Sequence, residues 1–142
     1  MWQRIQTLYL AIATALSVAM FFSTKAVIPA AAGHEEQLIS FISYTPYLIL
    51  LAVVSLLDIL ALTTYRHRVF QMRTSVLTAL ITLALQIWLV VDFVSTHSEV
   101  IFKLPSVFPA VSCVLEILAA RSILADEMMV RSASRLRSSR KR

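Results

Sequence analysis

YTPYLILLAVVSLLDILALTTY, residues 44–65, decides the architecture. Its only charged residue is Asp58. The remainder is nearly as long as the roughly 20 apolar residues a helix needs to cross a hydrocarbon core about 30 Å thick. Pro46 stands where the first turn of a helix tolerates proline, so the helix is expected to begin beside it. Reading outward, comparable blocks recur at 5–24, around LYLAIATALSVAMFF, at 74–95, and at 106–125, the last with Pro105 and Pro109 near its start. The expected fold is all-α: an integral membrane four-helix bundle, one domain over 1–142, with a basic tail at 126–142.

Composition agrees with that class. Hydrophobic residues make up 58% of the chain and charged residues 15%, whereas soluble domains average about 45–50% apolar and about 25% charged. The mean hydropathy is +0.78. A chain this short has a large surface for its volume, and so much apolar surface is best covered by lipid. Gly33 is the single glycine, which excludes a Walker-type phosphate loop, a dinucleotide-binding fingerprint and a nucleophile elbow. Cys113 is alone, so an intrachain disulfide and a cysteine metal cluster are excluded too; it reads as a small apolar filler.

Basic residues orient the spans. Of the thirteen Lys and Arg residues, all but Lys25 and Lys103 fall on one side if both termini share it: Arg4, then Arg66, Arg68 and Arg73, then Arg121, Arg131, Arg135, Arg137, Arg140, Lys141 and Arg142. Short flanks rich in Lys and Arg stay in the cytoplasm, so both termini are expected there. Each juxtamembrane cation gains about 1 kcal/mol near an anionic leaflet, so the tail's charge needs no nucleic acid to explain it. It also has no aromatic residue on which a base could stack. Arg66, Arg68, Arg73, Arg131, Arg135, Arg137, Arg140, Lys141 and Arg142 are therefore candidates for binding lipid headgroups or a partner. Glu127 and Arg131 are spaced i,i+4, which favours a last helix running on into the cytoplasm. Block 5–24 has a signal-peptide reading as well, with Arg4 before it and PAAAG after it. Its apolar stretch exceeds the 7–15 residues of a signal core, which favours an uncleaved first span.

WQRIQTLYL at 2–10, RHRVFQMR at 66–73 and LAARSILADEMMVRSASRLR at 118–137 together resemble an uncharacterised family of small four-span membrane proteins from Gram-negative bacteria, catalogued as a domain of unknown function. The resemblance covers nearly the whole chain and is most specific in these inner-side segments. It implies a bacterial inner-membrane location and no particular activity. Ser134 stands where relatives often carry an acidic residue, which alters charge pairing in the tail.

Within the spans the ionisable residues Asp58, Asp92, Glu116 and Arg121 need compensation, since a charge near the bilayer centre costs about 2.5–3.5 kcal/mol on insertion scales. Asp92, near the outer end of its span beside Ser95, Thr96 and His97, is expected to be hydrated at the interface. Glu116 is the most central. Its plain reading is a neutral carboxyl hydrogen-bonded between helices, and its functional reading a proton or cation relay. Placing each span's middle at one depth puts Asp58 level with Arg121, so an ion pair between them is expected. Ser75, Thr78, Thr82 and Gln86 share a helix face and should form an interhelical hydrogen-bonding seam. Thr7, Ala11, Ala15 and Ala19 form a four-residue ladder suited to close helix contact.

His34, His67 and His97 fall in three different loops, and HEEQ at 34–37 lacks the second histidine of a zinc helix, so no metal or other cofactor is expected. Trp2, Trp88, Tyr44, Tyr47 and Tyr65 sit mostly near span ends, where aromatic belts lie. With no catalytic group at motif spacing, the expectation is a non-enzymatic membrane protein, an accessory or scaffolding partner of another inner-membrane protein. A small transporter or ion-conducting oligomer using the intramembrane carboxylates is the alternative. Expected partners are membrane lipid and another membrane protein or a second copy of the chain, with no nucleic acid.

Overall fold

The computed structural model describes residues 2–30, 35–64, 66–96 and 100–139. Its helices are α1 (Trp2–Phe21), α2 (Thr45–Thr63), α3 (Arg68–Thr96) and α4 (Phe108–Ser139), with strands β1 (Thr24–Ile28), β2 (Gln37–Ser40) and β3 (Ile101–Phe102) in the connections. His34, Tyr65, His97, Arg140, Lys141 and Arg142 lie outside the described residues.

The helices run alternately up and down. Neighbours α1 and α2, α2 and α3, α3 and α4, and α4 and α1 pack together, which makes α2 and α4 diagonal partners across the bundle axis. Helices Thr45–Thr63, Arg68–Thr96 and Leu104–Arg135 are long and apolar enough to cross a membrane, while Ile5–Phe21 is a shorter apolar helix. The first helix therefore stops short of the expected 24. Beyond Phe21, the Ser23 N–H reaches back to Met20 O and the chain enters β1 at Thr24.

Local chemistry sets the other ends. Pro46 lies in the first turn of α2 as the sequence suggests, and both the N–H and the hydroxyl of Thr64 donate to Leu60 O at the far end. Helix α4 begins where Gln86 Oε1 accepts the Ala110 N–H at 3.1 Å, satisfying one of the amides a helix start leaves unpaired. It then runs 32 residues, past Asp126 and well beyond a bilayer's need.

The small sheet is the feature the all-α reading lacks. Order β2-β1-β3 brings the α1–α2 connection against the α3–α4 connection, with β1 antiparallel to both neighbours. Strand β1 is its buried centre: Lys25, Ala26 and Val27 are covered, and Lys25 O accepts both the Lys103 N–H and the Ser106 hydroxyl. The sheet thus ties the two connections together at one end, the sheet end. Opposite lies the basic end, where Arg68 Nη1 meets Asp126 Oδ2 at 2.8 Å.

Two apolar clusters fill the bundle. Met20, Phe41, Tyr47, Leu51, Leu85 and Leu89 close the half beneath the sheet. Leu10, Ala61 and Ala119 pack α1, α2 and α4 together in the other half. The outer faces carry exposed Leu, Ile, Val and Phe all along the helices, as lipid-covered surfaces do.

Helix α1 corrects one expectation. Its buried side chains are Gln6, Leu10, Ala13, Ser17 and Met20, whereas Thr7, Ala11, Ala15 and Ala19 lie on the exposed side. A four-residue repeat drifts around a helix of 3.6 residues per turn, and the face that carries Leu10, Ser17 and Met20 packs against the bundle in its place.

Candidate functional site

The polar residues inside the bundle collect at one level. Eleven residues of α2 separate Tyr47 from Asp58, and ten residues of α3 separate Asp92 from Thr82; at 1.5 Å per residue both intervals are about 15–17 Å. Tyr47 donates to Asp92 at 3.2 Å, so Asp58 and Thr82 lie at the same depth. Thr82 in turn contacts Glu116 Oε1 on α4 at 3.3 Å, and Ser17 on α1 contacts Asp58 Oδ2 at 2.9 Å. Every helix thus contributes to one polar layer, with the two carboxyl groups on the diagonal helices. Asp58 and Glu116 are both fully buried and near enough for their charges to interact.

The expected Asp58–Arg121 pair does not form. Arg121 is exposed, and Asp58 meets Ser17 instead. Placing span middles at a common depth was the error: the cross-helix bonds set the register, and they put Asp58 level with Glu116. Glu116 is buried, with Oε1 in hydrogen-bonding reach of Thr82 on α3.

Asp92 has partners that the sequence reading did not name: while staying partly exposed, it binds Lys25 Nζ and accepts from Tyr47 Oη. Lys25 itself is buried over the Tyr47 ring, 4.6 Å from its centroid, and 5.4 Å from that of Phe102. Tyr44, Tyr47 and Trp88 stack beside it at centroid separations of 5.3–6.4 Å. Lys25 was read only as an outer-loop charge. The consecutive apolar residues Ala26, Val27 and Ile28 after Lys25 were the available hint of a covered strand, but the partner of Lys25 lies 67 positions away.

The seam on α3 is half interhelical. Ser75, Thr78 and Thr82 are buried, and each hydroxyl bonds the carbonyl four residues back on its own helix. Thr82 and Gln86 also reach α4, through Glu116 and the Ala110 amide. Gln71 and Thr74 extend the buried polar strip toward the basic end, which the sequence reading missed.

At the basic end the candidate headgroup residues form a built feature. Arg66, His67, Arg68, Phe70, Arg73 and Glu127 line a cleft of about 770 Å³ between the α2–α3 turn and α4. A smaller cleft of about 230 Å³ shares Arg68, Arg73 and Glu127 and adds Met72, Ile123 and Arg131. Arg131 Nε donates to Glu127 Oε1 at 2.9 Å, as the i,i+4 spacing suggested. Arg131 and Arg135 are exposed along the α4 extension, beside exposed Met128, Met129 and Val130. Neither cleft, nor one of about 320 Å³ below the sheet, is lined by Asp58 or Glu116.

A family model described as a domain of unknown function, DUF4293, matches residues 2–136. No curated protein and no solved structure matches the chain.

Proposed function

We propose, from the premise that this chain belongs to the DUF4293 family, that it is a non-enzymatic accessory protein of a bacterial inner membrane which docks another membrane protein through its basic end. The observation that carries this reading is the extension of α4. Beyond Asp126, which pairs with Arg68 at the start of α3, the helix continues to Ser139 and exposes Met128, Met129 and Val130 beside Arg131 and Arg135. A helix with apolar and cationic side chains outside the bundle suits a partner that is apolar and acidic. The basic clefts at the same end suit anionic headgroups, whose phosphates Arg binds bidentately. The eleven cations of that side support cytoplasmic termini.

Purification from the native membrane in mild detergent, followed by identification of co-purifying chains, tests the reading. A stoichiometric membrane partner, lost when Met128, Met129 and Val130 are changed to Ser, supports it. Recovery of a bare monomer overturns it. A second reading, a small transporter or ion-conducting oligomer, is favoured by one observation: Asp58 and Glu116 are both buried at one level of the bundle, near enough for their charges to interact, and neither is ion-paired among the described residues. Ion flux in reconstituted vesicles, abolished by Asp58→Asn, supports that alternative.

A further inference from the structure

The carboxyl layer has an unbalanced charge and an unbalanced set of hydrogen bonds. The groups facing it are Ser17 from α1, Ser55 and Asp58 from α2, Thr78 and Thr82 from α3, and Ser112, Cys113 and Glu116 from α4. Among the described residues none of these is a cation; Lys25 is held by Asp92, and Arg121 is exposed. Two ionised carboxylates here would repel each other in a medium that solvates neither.

The hydroxyl protons lead to the same place. Ser17 has one proton and two acceptors in reach, Asp58 Oδ2 at 2.9 Å and Ala13 O at 3.1 Å. Thr82 likewise faces Thr78 O at 2.8 Å and Glu116 Oε1 at 3.3 Å. A hydroxyl cannot donate twice. If each acid carries its own proton, Asp58 donates to Ser17 and Glu116 to Thr82, while both hydroxyls donate to their own helices; every contact is then satisfied. A single monovalent cation would leave one negative charge uncompensated. Two protons leave none.

The opposite oxygens of the two acids and the nearest hydroxyls are left as further polar groups in the layer. Asp58 Oδ1, Glu116 Oε2, Ser55 Oγ and Ser112 Oγ lack any hydrogen-bond partner among the described residues. Ser55 is one turn from Asp58 on the buried face of α2, and Ser112 one turn from Glu116 on that of α4.

The surroundings of the layer are asymmetric. Toward the sheet end, Met20, Phe41, Leu51, Leu85 and Leu89 close the axis with apolar side chains. Toward the basic end, the apolar contacts Leu10, Ala61 and Ala119 cover α1, α2 and α4, while α3 presents buried Thr78, Ser75, Thr74 and Gln71. Gln71 on α3 and Gln6 on α1 each stand eleven residues from the layer, about 16 Å at 1.5 Å per residue, and the Gln6 Nε2 is another buried atom without a partner.

We propose that Asp58 and Glu116 form a proton-binding site on the bundle axis, held as a pair of neutral acids that exchange their protons with the basic end along the polar strip of α3. The proposal is independent of the partner-docking reading, since it concerns the isolated chain.

Infrared spectroscopy of the full chain in lipid vesicles at neutral pH, with ¹³C placed in the side-chain carboxyl of either all Asp or all Glu, tests the proton loading without a substitution. A neutral-acid carbonyl stretch should be present, one component moving with the Asp label and another with the Glu label. Asp58→Asn should abolish the first and Glu116→Gln the second. Transfer to heavy water should shift both components, several-fold more slowly in Thr78→Val and at an unchanged rate in Thr63→Val, on the exposed side of α2. Absence of either labelled component overturns the paired acids. Loss of the band on adding Na⁺ assigns the site to a metal cation instead. An exchange rate left unchanged by Thr78→Val, or slowed equally by Thr63→Val, overturns the route.

Discussion

Replacing Lys25 by Met tests what locks the sheet to the bundle. The substitution keeps an unbranched side chain of similar length and leaves the bonds to Lys25 O from Lys103 and Ser106 untouched. It removes the partner of Asp92 and the charge over the Tyr47 and Phe102 rings. Breaking a fully buried ion pair costs about 3–5 kcal/mol, but the Asp92 side chain is 31% exposed and keeps its bond from Tyr47, so only part of that cost applies. The cation–ring contacts add about 0.5–2 kcal/mol. The expected loss is about 2–4 kcal/mol. Asp92→Asn alone should cost somewhat less, because Lys25 retains its aromatic faces. The double variant should cost less than the sum of the two, with a coupling of about 1–3 kcal/mol. Reversible unfolding in mixed detergent micelles, followed by circular dichroism, measures all three. Two single losses below about 0.5 kcal/mol that simply add would refute the reasoning, because residues in one interaction network do not behave as independent sites.

Ala13 and Ala15 differ in burial alone, so Ala13→Leu should destabilise the bundle by about 1–3 kcal/mol through overpacking, while Ala15→Leu stays within about 0.5 kcal/mol; the same unfolding assay separates them. Arg68→Ala should cost no more than about 1 kcal/mol, since both partners of the Arg68–Asp126 pair are partly solvated, and a larger loss would mean the α2–α3 turn depends on it. A cysteine placed at Ser138 should resist an impermeant thiol reagent in intact cells and react once the membrane is opened; labelling before opening would invert the proposed orientation. Changing Arg66 and Arg73 together to Gln should weaken retention of anionic over neutral lipid by the purified chain, measured by mass spectrometry of bound lipid, and equal retention would remove the headgroup reading of the cleft.

How much was legible in the sequence depends on the range of the interaction. Helix positions rest on local properties: the length of an apolar run, proline in a first turn, the spacing of Glu127 and Arg131 on one helix. Those are contained in a few consecutive residues, and the helices, the family membership and the extended α4 follow from them. The buried ion pair of Lys25 with Asp92 rests on strands of two to five residues whose pairing joins distant loops. No local pattern encodes that pairing. The Asp58–Arg121 expectation failed for a related reason, since hydropathy locates a span along the chain but says nothing of how far one helix slides against another. Cross-helix contacts such as Tyr47 with Asp92 and Thr82 with Glu116 set that register. In α1 the sequence suggested the small-residue ladder as the contact face, and packing against Ala61 and Ala119 selected the face that carries Leu10 and Ser17. By itself the sequence determined that this chain belongs in a membrane as helices, because apolar length and charge are summed residue by residue. The tertiary structure decided that its two central acids share one buried level and that neither meets Arg121, because that depends on helix register and on which diagonal of the bundle each helix occupies.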